Sequence, residues 1–112
     1  MTLRLLCTLG LIAGLAGAAA AAPPEQLYAQ TCVACHGVNG KGVIPGMPDM
    51  TARGGPLASK SEAELVRSIL NGVQSTRSPI AMPPKGGNPA LTEADAAALV
   101  KFLRVRFDLD QN

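Results

Sequence analysis

A chain of 112 residues with a formal charge of +2 is long enough for one domain and no more. No run of lysine and arginine marks a nucleic-acid surface. Tyr28, Phe102 and Phe107 are the only aromatic residues, and there is no tryptophan, so the chain has little bulk of its own to bury.

The first segment is read as an export signal. Arg4 precedes an apolar run (Leu5, Leu6, Leu9, Leu11, Ile12, Leu15) and an alanine tract, the charged, apolar and small-residue order of a secretory signal peptide. The run is shorter than the roughly 20 residues a membrane span needs. Cleavage is expected after Ala20 or Ala21, because a cut after Ala22 would leave Pro23 first. Residues 1–21 are then the signal and residues 22–112 the domain, exported to a bacterial periplasm and not inserted in the membrane once cleaved. Arg4, Met1 and Cys7 leave with the signal.

After Pro23-Pro24, Glu25 to Thr31 reads as a short helix, with proline suited to its first position and Glu25 to its positive end. Leu27, Tyr28 and Ala29 offer its contact surface. The run Cys32-Val33-Ala34-Cys35-His36 comes next. Gly37 to Pro56 is so dense in glycine and proline that neither helix nor strand is expected. A loop this long suits a small domain if it wraps a flat ligand. Ser61-x-x-Glu64 is a capping box that starts a second helix bearing Leu65, Val66, Ile69 and Leu70, and Asn71-Gly72 ends it. Gln74 to Ala90 is irregular again. Thr92-x-x-Asp95 starts the last helix, with Leu99, Phe102 and Leu103 as its apolar stripe and Lys101, Arg104 and Arg106 towards its negative end. There is no strand pattern and no internal repeat.

The pattern Cys-x-x-Cys-His is the attachment sequence for a c-type haem, in which two thiols form thioethers to one porphyrin and the imidazole ligates the iron. Its rivals fit poorly. A Cys32–Cys35 disulfide would close a tiny loop. A thioredoxin-like site needs a βαβ setting. Zinc needs four ligands, and His36 is the only histidine. One covalent haem c is therefore the expected cofactor, and it would supply the core that the composition lacks.

His36 is expected to bind iron through Nε2. The opposite face then needs a ligand, and no second histidine exists. Of the methionines left after cleavage, Met47 and Met50 lie close behind His36 in the chain and are poorly placed to reach around the ring. Met82, in Met82-Pro83-Pro84, is distant from His36 and restricted by the two prolines. His36 and Met82 are the candidate metal ligands, since a thioether is an established axial partner of haem histidine.

The ordered set Tyr28-x-x-x-Cys32-Val33-Ala34-Cys35-His36-Gly37, Ile69-Leu70-Asn71-Gly72 and Met82-Pro83-Pro84-Lys85-Gly86-Gly87, followed by the helix from Thr92, resembles the class I cytochromes c, particularly the small bacterial ones. The resemblance covers most of the chain after the signal. It implies an all-α fold of three main helices, with long Gly/Pro-rich loops wrapped around one covalent haem and the first and last helices crossing beside Tyr28 and Phe102. It implies that the Pro45 carbonyl accepts the hydrogen bond of the proximal histidine. Arg53 is read as a solvated loop arginine rather than a propionate partner. The family's tryptophan on the propionate side is missing. The expected function is one-electron transfer between redox partner proteins: a quinol-oxidising complex or dehydrogenase as donor, and an acceptor such as a terminal oxidase. Docking would occur at the haem edge near Cys32, Cys35, Ile80, Ala81 and Pro83-Pro84. A haem subunit fixed to a dehydrogenase is the alternative, and a gas-binding or peroxide-reactive haem protein is a weaker one for want of a distal acid–base group.

Overall fold

The structure, a computed structural model, describes residue 14 and residues 21–110. The expected export signal lies outside the described residues except at Gly14 and Ala21. Among the described residues the helices are α1 (Pro24–Thr31), α2 (Val33–His36), α3 (Pro56–Ser59), α4 (Glu62–Asn71) and α5 (Glu93–Arg106), with a 3-10 turn at Pro84–Gly87. No strand forms among these residues. Val73 and Met82 make an isolated antiparallel bridge. The fold is all-α, as the sequence indicates.

Both capping boxes are closed. The Ser61 hydroxyl accepts from the Glu64 N–H at 3.2 Å, and the Glu64 carboxylate accepts from the Ser61 N–H at 2.8 Å. Hydrogen bonds from Ser61 hold the Glu64 carboxyl below the usual carboxylate range. Asp95 does the same work for α5 with its shorter side chain: Thr92 Oγ1 accepts at 3.1 Å and Asp95 accepts from the Thr92 N–H at 2.9 Å. Leu91, just before this cap, and Ala96 are both buried, in the positions of a hydrophobic staple.

The core is built where α1, α4 and α5 meet. α5 buries Ala96, Leu99, Val100 and Leu103, an i, i+3, i+4, i+7 stripe. α4 adds Leu65 and Val66, and α1 adds Leu27 and Tyr28. Ala29 faces solvent. Tyr28 meets a different aromatic from the one expected. Its ring stands edge-on to Phe107, with centroids 6.4 Å apart and planes at 75°, while Phe102 is half-buried at the margin of the core. Phe107 caps the C-terminal end of α5, and its ring is held by the loop at Gly40.

α3 was not foreseen, because Pro56 reads as one more loop breaker, although proline is favoured in a first helical turn. A tertiary clamp holds it. Arg104 of α5 donates Nε to the Leu57 carbonyl at 3.1 Å and Nη2 to the Lys60 carbonyl at 2.5 Å. These are carbonyls at the end of a one-turn helix, where intrahelical donors run out. Arg104→Met keeps an aliphatic stem and removes both donors. It is expected to cost about 1–3 kcal/mol in urea unfolding. A change within about 0.5 kcal/mol, the range of ordinary surface substitutions, would show that the guanidinium does not hold α3.

Candidate cofactor site

The core is hollow. A cavity of about 170 Å³ lies between α1, α4 and α5, with α3 and the loops on either side. Leu57, Leu65, Ile69, Leu99, Val100 and Leu103 give it an apolar wall, and Lys60 is the cationic residue at its margin. The same space is lined by Cys32, His36 and Met82.

Local hydrogen bonding fixes the Cys-x-x-Cys-His turn. The Cys32 N–H continues α1 by donating to the Tyr28 carbonyl at 2.9 Å, and the His36 N–H donates to the Cys32 carbonyl at 2.9 Å. The following loop then folds back. The Gly42 N–H donates to the His36 carbonyl at 2.8 Å, and the Val43 N–H to the Cys35 carbonyl at 3.1 Å, which satisfies two carbonyls the short helix leaves open. From α1 the Tyr28 hydroxyl donates to the Gly37 carbonyl at 2.5 Å, a buried bond. The backbone of His36 is thus held through its N–H by the motif itself and through its carbonyl by the loop that follows, with Tyr28 fixing the next residue.

The chemistry of these side chains suits a covalent haem. The two thiols are not paired with each other; Cys32 is half-buried and Cys35 is exposed. Burial, and then the neighbouring Cys35, push the Cys32 thiol up to about 11. Burial pulls the His36 pKa below its ordinary value, which favours the neutral imidazole that can ligate a metal. His36 Nδ1 is buried and has no hydrogen-bond partner. A buried ring nitrogen left without a partner is costly unless the ring has a further function.

The other expected residues divide. Met82 reaches the cavity, as expected. Pro45 does not line it and is exposed, and with Nδ1 unpartnered the expected bond to the Pro45 carbonyl is not made. Pro48 lines the cavity instead, together with Met50. The sequence held only a weak signal for this, two prolines spaced three apart in one loop. Met47 packs beside Gly42 and stays outside the cavity. Arg53 is exposed on its loop and does not line the cavity. Lys60 and Ser68 were missed as lining residues, since each reads as an ordinary polar position beside or within a helix.

An all-helical shell with an apolar slot and a Cys-x-x-Cys-His turn on one wall defines the class of c-type cytochromes. The comparisons with known proteins agree. Residues 19–103 match the family described as "Cytochrome C oxidase, cbb3-type, subunit III", and the chain belongs to this cytochrome c family. It is 39% identical over 90 residues to cytochrome c-551 of Pseudomonas aeruginosa, covering 80% of this chain and 82% of that one. It is 33% identical over 75 residues to lupanine 17-hydroxylase [cytochrome c] of a Pseudomonas species, covering 67% of this chain and 9% of the hydroxylase. The crystal structure of the c-type cytochrome XoxG from Methylobacterium extorquens AM1 superposes with a TM-score of 0.59 at 25% identity, covering 80% of this chain and 51% of that chain. The cofactor is accordingly one covalent haem c with its iron, and the protein is an electron-transfer protein acting with redox partners.

Tyr28 is the only tyrosine in the chain, so it reports on this site without ambiguity. Its pKa is pushed up to about 12, first by burial and then by Cys32, with Arg106 opposing. Thioether formation would remove the second cause and leave the first. The folded state therefore holds the phenol proton more tightly than the unfolded chain, whose tyrosine titrates near 10. The stability from this bond is complete below about pH 10 and is lost as pH rises towards 12. Ultraviolet titration of the folded protein should show tyrosinate forming well above the ordinary midpoint, and Tyr28→Phe should cost about 1 kcal/mol at neutral pH. A midpoint near 10, the ordinary value, would show that the Tyr28–Gly37 bond is not maintained.

Proposed function

We propose that this protein is an exported, periplasmic carrier of single electrons whose iron is held by His36 and Met82 and whose haem is bonded to Cys32 and Cys35. The observation that carries the reading is that Cys32, His36 and Met82, from two distant parts of the chain, line a single apolar cavity, with Cys35 exposed on the same turn as Cys32 and His36. Each thiol would add its S–H across one vinyl group of the porphyrin, which needs no oxidant. The haem supplies the redox chemistry, since its iron gains or loses one electron. The chain's own residues set the conditions. The apolar wall excludes water, disfavours the extra charge on ferric iron and so raises the potential; a thioether ligand acts in the same sense. Pro48 offers the candidate carbonyl for His36 Nδ1, because it lies on the cavity where Pro45 does not.

No helix among the described residues is long and apolar enough to cross a membrane. The docking face would be the edge beside Cys35, where Ile80, Ala81, Pro83 and Pro84 are exposed. Such an apolar rim suits brief electron-transfer encounters of small area. The donor would be a quinol-oxidising complex or a dehydrogenase, and the acceptor a protein such as a terminal oxidase.

The match to a small portion of a hydroxylase favours a second reading, a haem unit fixed to a dehydrogenase. Gel filtration of native extract separates the two: a free carrier elutes at the size of the processed chain, and a subunit elutes with its enzyme.

Cys32→Ala combined with Cys35→Ala should abolish haem that survives acid-acetone extraction. Met82→Ala should lower the potential and remove the thioether-to-iron charge-transfer band in the red. Persistence of that band would refute the axial assignment, and covalent haem in the double variant would refute the attachment.

A further inference from the structure

We infer that Gly72 is a positioning residue for the sixth iron ligand, an inference that rests on the reading of Met82 as that ligand. α4 ends at Asn71, and Gly72 follows with φ 78° and ψ 173°. The positive φ was expected at this helix end, but the ψ places the residue in an extended region open essentially to glycine alone rather than in a left-handed cap. Val73, next in the chain, donates its N–H to the Met82 carbonyl at 3.0 Å and accepts the Met82 N–H at 2.8 Å. Residues 74–81 therefore form a closed loop whose two ends meet beside Gly72.

The approach at this point is close. A Cβ on Gly72 would lie 2.5 Å from the Met82 carbonyl oxygen, 2.9 Å from the Pro84 nitrogen and 3.1 Å from the Pro83 carbonyl carbon. All three are backbone atoms, so no side chain can swing aside. Pro83 and Pro84 have fixed φ values, which leaves the segment few ways to yield. The absence of a side chain at Gly72 lets the end of α4 pass directly against Met82-Pro83-Pro84. Because α4 also lines the cavity with Leu65, Ser68 and Ile69, the wall and the ligand segment are held in one register. An alanine at this position would push the Met82 backbone away from α4 and draw its side chain off the iron.

Gly87 supplies the control. It too has a positive φ (+81°), but a Cβ there meets nothing within 4 Å. In haem-loaded protein, Gly72→Ala is expected to weaken the thioether-to-iron band and to raise the affinity of the ferric iron for added imidazole by about tenfold or more, whereas Gly87→Ala keeps the band and shifts that affinity less than about twofold. Both substitutions lower stability in urea, so the ligand affinity and not the stability decides the matter. Equal imidazole affinities in the two variants would overturn the inference. Met82→Ala stands as the reference: if its band survives, it is the ligand assignment that fails. Should Gly72→Ala not accumulate, hydrogen exchange on the unmodified holoprotein decides. Val73 and Met82 amides exchanging as slowly as those of α4 support the dock, and exchange at the free-chain rate overturns it.

Discussion

The apolar slot between α1, α4 and α5 is the constraint on which the rest of this structure depends. Tyr28, Leu57, Leu65, Leu99, Val100 and Leu103 are among the buried residues, and all of them face the cavity rather than closing it. Without a flat apolar group to fill it, a cavity of about 170 Å³ would cost on the order of a few kcal/mol, a large share of the stability a domain this small can have. The helices therefore pack around the cofactor as much as on one another. This explains why a chain so poor in aromatic residues can form a core, and why long glycine- and proline-rich segments are tolerated in it.

The legible parts of the fold were those whose chemistry is local. Cys32, Cys35 and His36 fall within five successive residues, and their meaning lies in their spacing. The Ser61 and Thr92 caps act within a single turn. Met82 is singled out by elimination among the methionines, and its place on the cavity agrees with that choice. The illegible parts depend on meetings across the chain. Pro45 and Pro48 are equivalent as sequence, and only the path of the loop, tied by the Met50 N–H to the Gly40 carbonyl at 2.8 Å, brings the second to the cavity. Phe102 continues the apolar stripe of α5, yet Phe107, beyond the last turn, is the residue that meets Tyr28. Arg104 suited the negative end of its own helix, but its guanidinium is spent on the carbonyls of α3.

The segments that carry His36 and Met82 are secured by different means. His36 sits in a helical turn whose open carbonyls are taken up by the next loop, with Tyr28 holding Gly37 behind it. Met82 lies in irregular chain, where no helix can supply such order. Its backbone is tied to Val73 on one side. On the other, Gly86 packs against Thr31 at the end of α1, and Asn88 Nδ2 donates to Thr31 Oγ1 at 3.5 Å. The segment from Met82 to Asn88 is thus a strap fixed at the end of α4 and again beside Cys32. Thr31, the anchor at that end, immediately precedes Cys32, so the segments that carry His36 and Met82 share a frame.

That shared frame matters for electron transfer in particular. A carrier must keep the same ligands in both oxidation states, and groups already held in place need not rearrange when the charge on iron changes. The division of the sequence follows this demand. Outside the long helices, backbone hydrogen bonds tie Cys32 to Gly37 in one turn, join Val73 to Met82, and continue through Gly86 and Asn88. The closed loop of residues 74–81 between these anchors is largely exposed, with Ile80 at 50% accessibility. Its ends are fixed by backbone bonds that are indifferent to side-chain identity, so its surface can vary without disturbing the cavity wall. The same bridge that fixes the Met82 backbone thereby separates the exposed loop from the segments that line the cavity.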